Sequence, residues 1–169
     1  NPINTPPNTL VPNATTYTWP AAVVTGNITG GIAANNQASI SQVLNNPTNT
    51  VQTATYTITA ASGVAGSCSS TFVSTITVNP SPVLQPINQP ICSGASFNIT
   101  PANGNPNANT IIPNGTIYTW GIPNVTGGVT GGAAGNGTLN ISGTLTNPSN
   151  IAQTATYTVT PTSGAAGNC

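Results

Sequence analysis

The stretch Gln153-Thr-Ala-Thr-Tyr-Thr-Val-Thr160 decides the fold class of this chain. Side chains of a β-strand point alternately to two faces, so one face carries Ala155, Tyr157 and Val159 while the other carries only threonine. Residues that are β-branched or aromatic favour a pleated surface that is buried on one side. The stretch is therefore predicted to be a strand with an apolar inner face and a threonine outer face.

The same strand occurs 101 residues earlier, as Gln52-Thr-Ala-Thr-Tyr-Thr-Ile-Thr59. Tyr17-Thr-Trp19 matches Tyr118-Thr-Trp120 at the same offset of 101 residues. The alignment of the two units needs no gap from residue 10 to residue 68. A fixed long period indicates an array of similar units, and a period near 100 residues suits one β-sandwich per unit. We therefore predict an all-β protein built of tandem sandwiches.

The ends of the chain do not coincide with the ends of a unit. Cys68 is followed by another predicted strand, residues 71–78, whereas its counterpart Cys169 is the last residue. The first unit begins at a position equivalent to Ala102 and lacks a counterpart of residues 82–101. We predict a first repeat at residues 1–79, without its N-terminal strands, and a second at residues 80–169, without its last strand. The expected source is a longer tandem array.

Each unit is predicted to contain about seven short strands, because no segment shows the period of a helix. The strands predicted around the decisive stretch are residues 38–43, 83–91, 95–100, 116–120 and 138–142. Residues 101–115 are rich in Asn, Pro and Gly and are predicted to be a long loop, and the glycine-rich residues 125–132 are predicted to be turns or a bulged hairpin. Residues 79–82 read Asn-Pro-Ser-Pro, which predicts a short, stiff joint.

The chain of 169 residues contains no Lys, Arg, Asp, Glu or His. General acid–base catalysis normally uses these residues, so we predict no enzymatic activity. With three cysteines as the remaining metal ligands, we predict no metal site and no cofactor. Nucleic-acid binding depends on Lys and Arg, so nucleic acid is excluded as a partner. No apolar run approaches the roughly 18 residues of a spanning helix, which predicts no membrane insertion.

Four aromatic residues recur at equivalent positions of the two units. Trp19 and Trp120 fit either of two roles, a stacking platform for a sugar ring or a core residue on the central strand of a sandwich. The core role is favoured. We predict that Trp19, Tyr56, Trp120 and Tyr157 form the two cores, and that the tyrosine hydroxyls bind backbone groups.

Several of these motifs together resemble a known kind of repeat. The Tyr-Thr-Trp strand, the Asn-Pro-Thr-Asn turn, the decisive strand and the Ile-Cys-Ser-Gly turn resemble PKD-like, immunoglobulin-like repeats. Such repeats occur in very large cell-surface adhesins of gliding bacteria, the SprB type, which the type IX system exports. PKD domains carry a Trp-Asp-Phe-Gly-Asp-like motif, whereas Trp120 is followed by Gly-Ile-Pro, so the acidic part of that motif has no counterpart.

Each complete repeat has two cysteines, one in the Ile-Cys-Ser-Gly turn and one after the threonine-rich strand. An even number in a secreted β-unit indicates one disulfide. The pairing we predict joins Cys92 to Cys169 and leaves Cys68 for a partner outside this sequence. Two other schemes remain open, a Cys68–Cys92 bond across the joint and a bond from the turn cysteine to the next repeat.

The resemblance implies an extracellular protein at the cell surface. The function we predict is a structural stalk or spacer of a long adhesin or filament, used in surface attachment or gliding. Its expected partners are neighbouring repeats, and identical chains in a fibre are a further candidate because an uncharged surface has no repulsion to keep copies apart. The alternative is a module that itself binds a polysaccharide or a solid surface, through residues 101–115 or through the glycine-rich segment.

Overall fold

The computed structural model describes residues 10–64 and 68–165, and its regular elements are all β-strands. The chain divides into two compact units, Asn1–Val78 and Asn79–Cys169. The predicted fold class, all-β with immunoglobulin-like β-sandwich units in tandem, is confirmed.

The first unit is organised around one long strand. Its strands are β1 Thr16–Trp19, β2 Val23–Val24, β3 Ala34–Gln37, β4 Gln52–Ala61 and β5 Ser69–Val78. One edge of β4 pairs with β5 over the full length of both strands, from Gln52↔Val78 to Ala61↔Ser69. The other edge of β4 pairs first with β2 and then with β1, and β3 pairs with the far edge of β1. All of these pairs are antiparallel.

The alternation of β4 explains its position at the centre of the sheet. Ala54, Tyr56 and Ile58 are buried and form the core with residues of β1, while Thr57 is exposed on the opposite face. A threonine pair lies across the outer face, where the hydroxyl oxygen of Thr55 is 3.3 Å from that of Thr75 on β5. The strand therefore has the apolar inner face and threonine outer face that its sequence predicts.

The second unit contains the same central arrangement and adds a second small sheet. Its strands are β6 Ser96–Ile99, β7 Ile117–Trp120, β8 Asn124–Val125, β9 Gly135–Thr138, β10 Ile141–Thr144, β11 Ala155–Thr156 and β12 Val159–Thr162. β7 lies between β12 and β9, β8 pairs with β11, and β6 pairs with β10. The buried core consists of Phe97, Tyr118, Trp120 and Ile141.

Four predicted strands differ from the observed ones. Residues 138–142 are divided at residues 139 and 140 between β9 and β10. The decisive stretch is interrupted and forms β11 and β12, because the described residues of the second unit contain no counterpart of β5 to pair with it. Residues 38–43 form no strand, and the described part of the first unit likewise has no counterpart of β6. Residues 83–91 are interrupted by prolines and contribute a single bridge between Val83 and Ile111.

Candidate functional site

Both tryptophans lie inside their units. Trp19 is 2% exposed and Trp120 is 6% exposed. Each indole N–H donates a hydrogen bond of 3.0 Å to a backbone carbonyl, that of Ile32 for Trp19 and that of Ala133 for Trp120. A buried ring whose only polar atom is already bonded offers no face to a sugar. The geometry therefore assigns both rings to packing rather than to ligand stacking.

The two equivalent tyrosines, Tyr56 and Tyr157, differ in burial. Tyr56 is buried, whereas Tyr157 is half-buried and packs against the core of the second unit. Both hydroxyl groups are buried and have no hydrogen-bond partner among the described residues, so the predicted bonds to backbone are wrong. Each hydroxyl lies against a glycine: a Cβ built on Gly31 would be 3.4 Å from the Tyr56 oxygen, and one on Gly132 3.3 Å from that of Tyr157.

Stability is expected to be constant in acid and to fall in alkali. Burial raises the pKa of Tyr56, Tyr118 and Tyr157 in the folded state, so the unfolded chain ionises first as pH rises through about 10. The chain has no Asp, Glu or His, so no side chain takes up a proton between about pH 7 and pH 3. Denaturant unfolding should give equal free energies at about pH 3 and pH 7 and a lower value above pH 10. Tyr157→Phe should reduce the alkaline loss, and a large loss in acid would contradict this account.

A buried asparagine closes the turn before β4. The Asn46 amide nitrogen donates to the carbonyls of Thr50 and Val78, at 2.8 and 2.9 Å. Its oxygen accepts from the backbone N–H and the hydroxyl of Thr48, at 2.9 and 2.8 Å. Asn147 makes the equivalent local bonds to Ile151 and Ser149 in the second unit. The sequence indicates the turn, but no local pattern shows that Asn46 also holds the end of β5.

Replacing Asn46 with alanine is expected to cost the first unit about 2 kcal/mol of unfolding free energy, because the buried amide is lost and the Val78 and Thr50 carbonyls lose their donor in partly buried hydrogen bonds. Asn45→Ala is the matched control, since Asn45 is exposed and pairs with Thr29 through its backbone. Chemical denaturation of both variants measures the difference. Equal losses would show that the Asn46 bonds add nothing to stability.

The cysteines that the structure describes are unbonded. Cys68 and Cys92 are both exposed and free, so the bond across the joint is not formed. Cys169 lies outside the described residues, and its pairing with Cys92 stays a prediction, as does any partner of Cys68 beyond this sequence.

Within residues 10–64 and 68–165, no group of three or more side chains is placed to hold a metal ion. The same residues include no helix that is long and apolar enough to cross a membrane. The positions that recur in both units include the core aromatics and the asparagine turns, and both kinds make contacts within their own unit.

The PKD-like domain family matches the chain twice, over residues 1–82 and 89–169. No curated protein and no solved structure matches it. Domains of this family are typically extracellular structural or adhesion modules, and they are generally not catalytic. With two matches that together span nearly every residue, this chain belongs to the PKD-like domain family.

Proposed function

We propose that this chain is a spacer segment of a long extracellular adhesin or filament at the cell surface. In this proposal the units provide reach and mechanical strength during surface attachment or gliding. Export by the type IX system and the SprB type of adhesin belong to the same proposal, since the sequence motifs resemble repeats of that type. The observation that carries the proposal is the position of the first and last strands of the first unit, which determines how a pulling force loads its sheet.

The two ends of the first unit's strand system lie at opposite ends of β4. The chain reaches β1 where Thr16 pairs with Ala61, and it leaves β5 where Val78 pairs with Gln52. β1 and β5 flank β4 on its two edges. A force applied along the chain therefore slides both strands past β4 instead of peeling them away one bond at a time. The ladder hydrogen bonds are loaded together, which is the arrangement that resists extension.

The surface chemistry supports a role in an immobile assembly. The chain has no charged side chain, so its surface produces no long-range field and no repulsion between copies. Threonine hydroxyls on the outer face of β4 offer neutral hydrogen bonds instead, and Thr57 there is exposed. Neighbouring repeats and identical chains in a fibre are accordingly the partners we propose.

Labelling of intact cells tests where the protein works. Antibodies raised against the two units should label unpermeabilised cells of the source organism, and electron microscopy should place the label along thin surface projections. An antibody to a cytoplasmic protein serves as the control for intact membranes. Label that appears only after permeabilisation would contradict an extracellular spacer.

A second function, direct binding of a polysaccharide or a solid surface, has one observation in its favour. Residues 102–109 are all exposed and include four asparagines. Two of them use their side-chain oxygens within the loop, since Asn103 accepts from the Ile112 N–H and Asn107 from the Asn109 N–H. Asn105 and Asn109 are therefore the residues to replace by alanine, one at a time, in glycan-array binding. Binding that is lost in either variant would favour this function over the spacer.

A further inference from the structure

The sequence contains three Asn-Gly pairs, and all of them lie in the second unit: Asn103-Gly104, Asn114-Gly115 and Asn136-Gly137. Because the glycine of such a pair has no Cβ, its backbone nitrogen can approach the carbonyl carbon of the asparagine side chain. All three asparagines are exposed. Exposure therefore does not distinguish the pairs, whereas their hydrogen bonds do.

The Asn103-Gly104 pair is held at both of its reacting groups. The Asn103 side-chain oxygen accepts a hydrogen bond from the Ile112 N–H at 3.1 Å. The Gly104 N–H donates to the Thr110 carbonyl at 2.9 Å. Both bonds must break before the glycine nitrogen can turn toward the amide carbon, so the fold protects this pair.

A single hydroxyl group holds both reacting groups of the Asn136-Gly137 pair. The Thr119 hydroxyl donates to the Asn136 side-chain oxygen at 3.1 Å, and it accepts from the Gly137 N–H at 3.3 Å. Thr119 is exposed on β7, so its hydroxyl can be removed without opening the core. This pair is protected in the same way as the first, but through one side chain.

The Asn114-Gly115 pair lacks both restraints. Among the residues that the structure describes, neither the Asn114 side chain nor the Gly115 N–H has a hydrogen-bond partner. The pair lies in a turn that its neighbours fix, since the Thr116 hydroxyl donates to the Pro113 carbonyl at 2.7 Å. The fold therefore leaves the amide and the glycine nitrogen of this pair free to react with each other.

We propose that Asn114 is a self-modification site, at which the second unit loses ammonia and gains a carboxylate. The Gly115 nitrogen attacks Cγ of Asn114 and closes a succinimide ring, while the side-chain nitrogen leaves as ammonia with the proton of the Gly115 N–H. Water then opens the ring at either carbonyl, which gives aspartate or its β-linked isomer. Water is the one co-reactant, and the reaction does not depend on the spacer function.

The modification changes both the charge and the packing of the turn. The chain has no charged side chain, so the new carboxylate is the first, and modified copies repel one another where natural copies do not. The turn also touches the backbone at Gly164, where a Cβ would lie 2.7 Å from the Gly115 oxygen and 2.8 Å from that of Asn114. The β-linked isomer adds a carbon to the main chain at this close contact.

The first unit supplies a matched comparison at the equivalent turn. Asn13 is followed there by Ala14, whose N–H donates to the Asn13 side-chain oxygen at 3.1 Å. Ala14 has a φ of 58°, which shows that the turn accepts an alanine. Gly115→Ala copies this arrangement, and its Cβ would meet the Gly164 Cα at an ordinary 3.4 Å. The variant is therefore expected to fold and to suppress conversion of Asn114.

Peptide mapping by mass spectrometry tests the proposal on the full chain, kept folded in warm, mildly alkaline buffer. Each hydrogen bond that must break slows the reaction about fivefold, so Asn114 should convert at least about tenfold faster than Asn103 or Asn136. In concentrated denaturant the three asparagines should convert at similar rates, because the protecting bonds are absent. Ion-exchange chromatography should show the new negative charge appearing at the rate of Asn114 conversion.

Thr119→Val tests the protection directly. It removes both bonds of the Asn136-Gly137 pair, so conversion of Asn136 should rise about tenfold while that of Asn114 stays unchanged. The ranking in the natural chain decides the question even if this variant fails to fold. The proposal is overturned if Asn114 converts no faster than the other two asparagines in the folded chain, or if Gly115→Ala leaves its rate unchanged.

Discussion

Replacing Trp120 with alanine is expected to lower the unfolding free energy of the second unit by about 3–5 kcal/mol. The ring is the largest buried side chain of that core, and its indole N–H is bonded to the Ala133 carbonyl. Small domains have total stabilities of about 5–15 kcal/mol, so a loss of this size leaves the unit largely or partly unfolded. Circular dichroism during denaturant titration measures it, while Trp19 fluorescence reports separately on the first unit.

Ile122→Ala is the matched control for this prediction. Ile122 follows β7 closely and is 80% exposed, so its truncation should cost less than about 0.5 kcal/mol. Trp120→Phe should fall between the two, since it keeps an aromatic ring and loses the hydrogen bond. If Trp120→Ala cost no more than Ile122→Ala, the ring would not be a core residue, and stacking on a sugar would again be the better explanation for the repeated tryptophan.

A proline in the middle of β5 is expected to have the second largest effect. Ser74 and Thr75 are neighbours in β5, and in a strand their N–H groups point to opposite sides. Because β5 pairs with β4 alone among the described strands, one N–H belongs to the ladder and the other points to the open edge. Of Ser74→Pro and Thr75→Pro, one should therefore cost about 3 kcal/mol and the other much less.

The two proline variants control each other, because they differ by one position and share the same change. Denaturant unfolding gives the difference in stability, and single-molecule pulling gives the difference in force. Equal and small effects would mean that the β4–β5 ladder contributes little to the first unit. In that case the pairing of these two strands would not be the element that resists extension.

The sequence predicted those features that depend on side chains close together in the chain. The inward positions of Ala54, Tyr56 and Ile58 follow from the period of two, and the repeat follows from matching letters. Whether a strand runs without interruption cannot be predicted in this way, because it depends on a neighbouring strand that pairs with it. Nearly the same residues form one ten-residue strand in β4, where β5 pairs with them, and two short strands in the second unit.

The remaining differences involve contacts between residues far apart in sequence. The Asn46 bond to Val78 spans 32 residues and has no local signature. The hydroxyl groups of Tyr56 and Tyr157 were expected to bind backbone groups. Instead each hydroxyl packs against a glycine and has no hydrogen-bond partner among the described residues. Whether an acceptor lies within reach of a buried hydroxyl is decided by tertiary packing, and composition does not contain that information.

Single-molecule pulling on the chain, held at its two ends, tests the central claim that the units bear load. The account predicts two discrete unfolding events, each releasing roughly 25–30 nm of chain, one for each unit. Handles attached instead at Gln52 and Val78, the open end of the β4–β5 hairpin, should peel the same ladder apart one pair at a time, at a much lower force. A featureless extension, or equal forces in the two geometries, would contradict the proposal that this chain is a mechanical spacer.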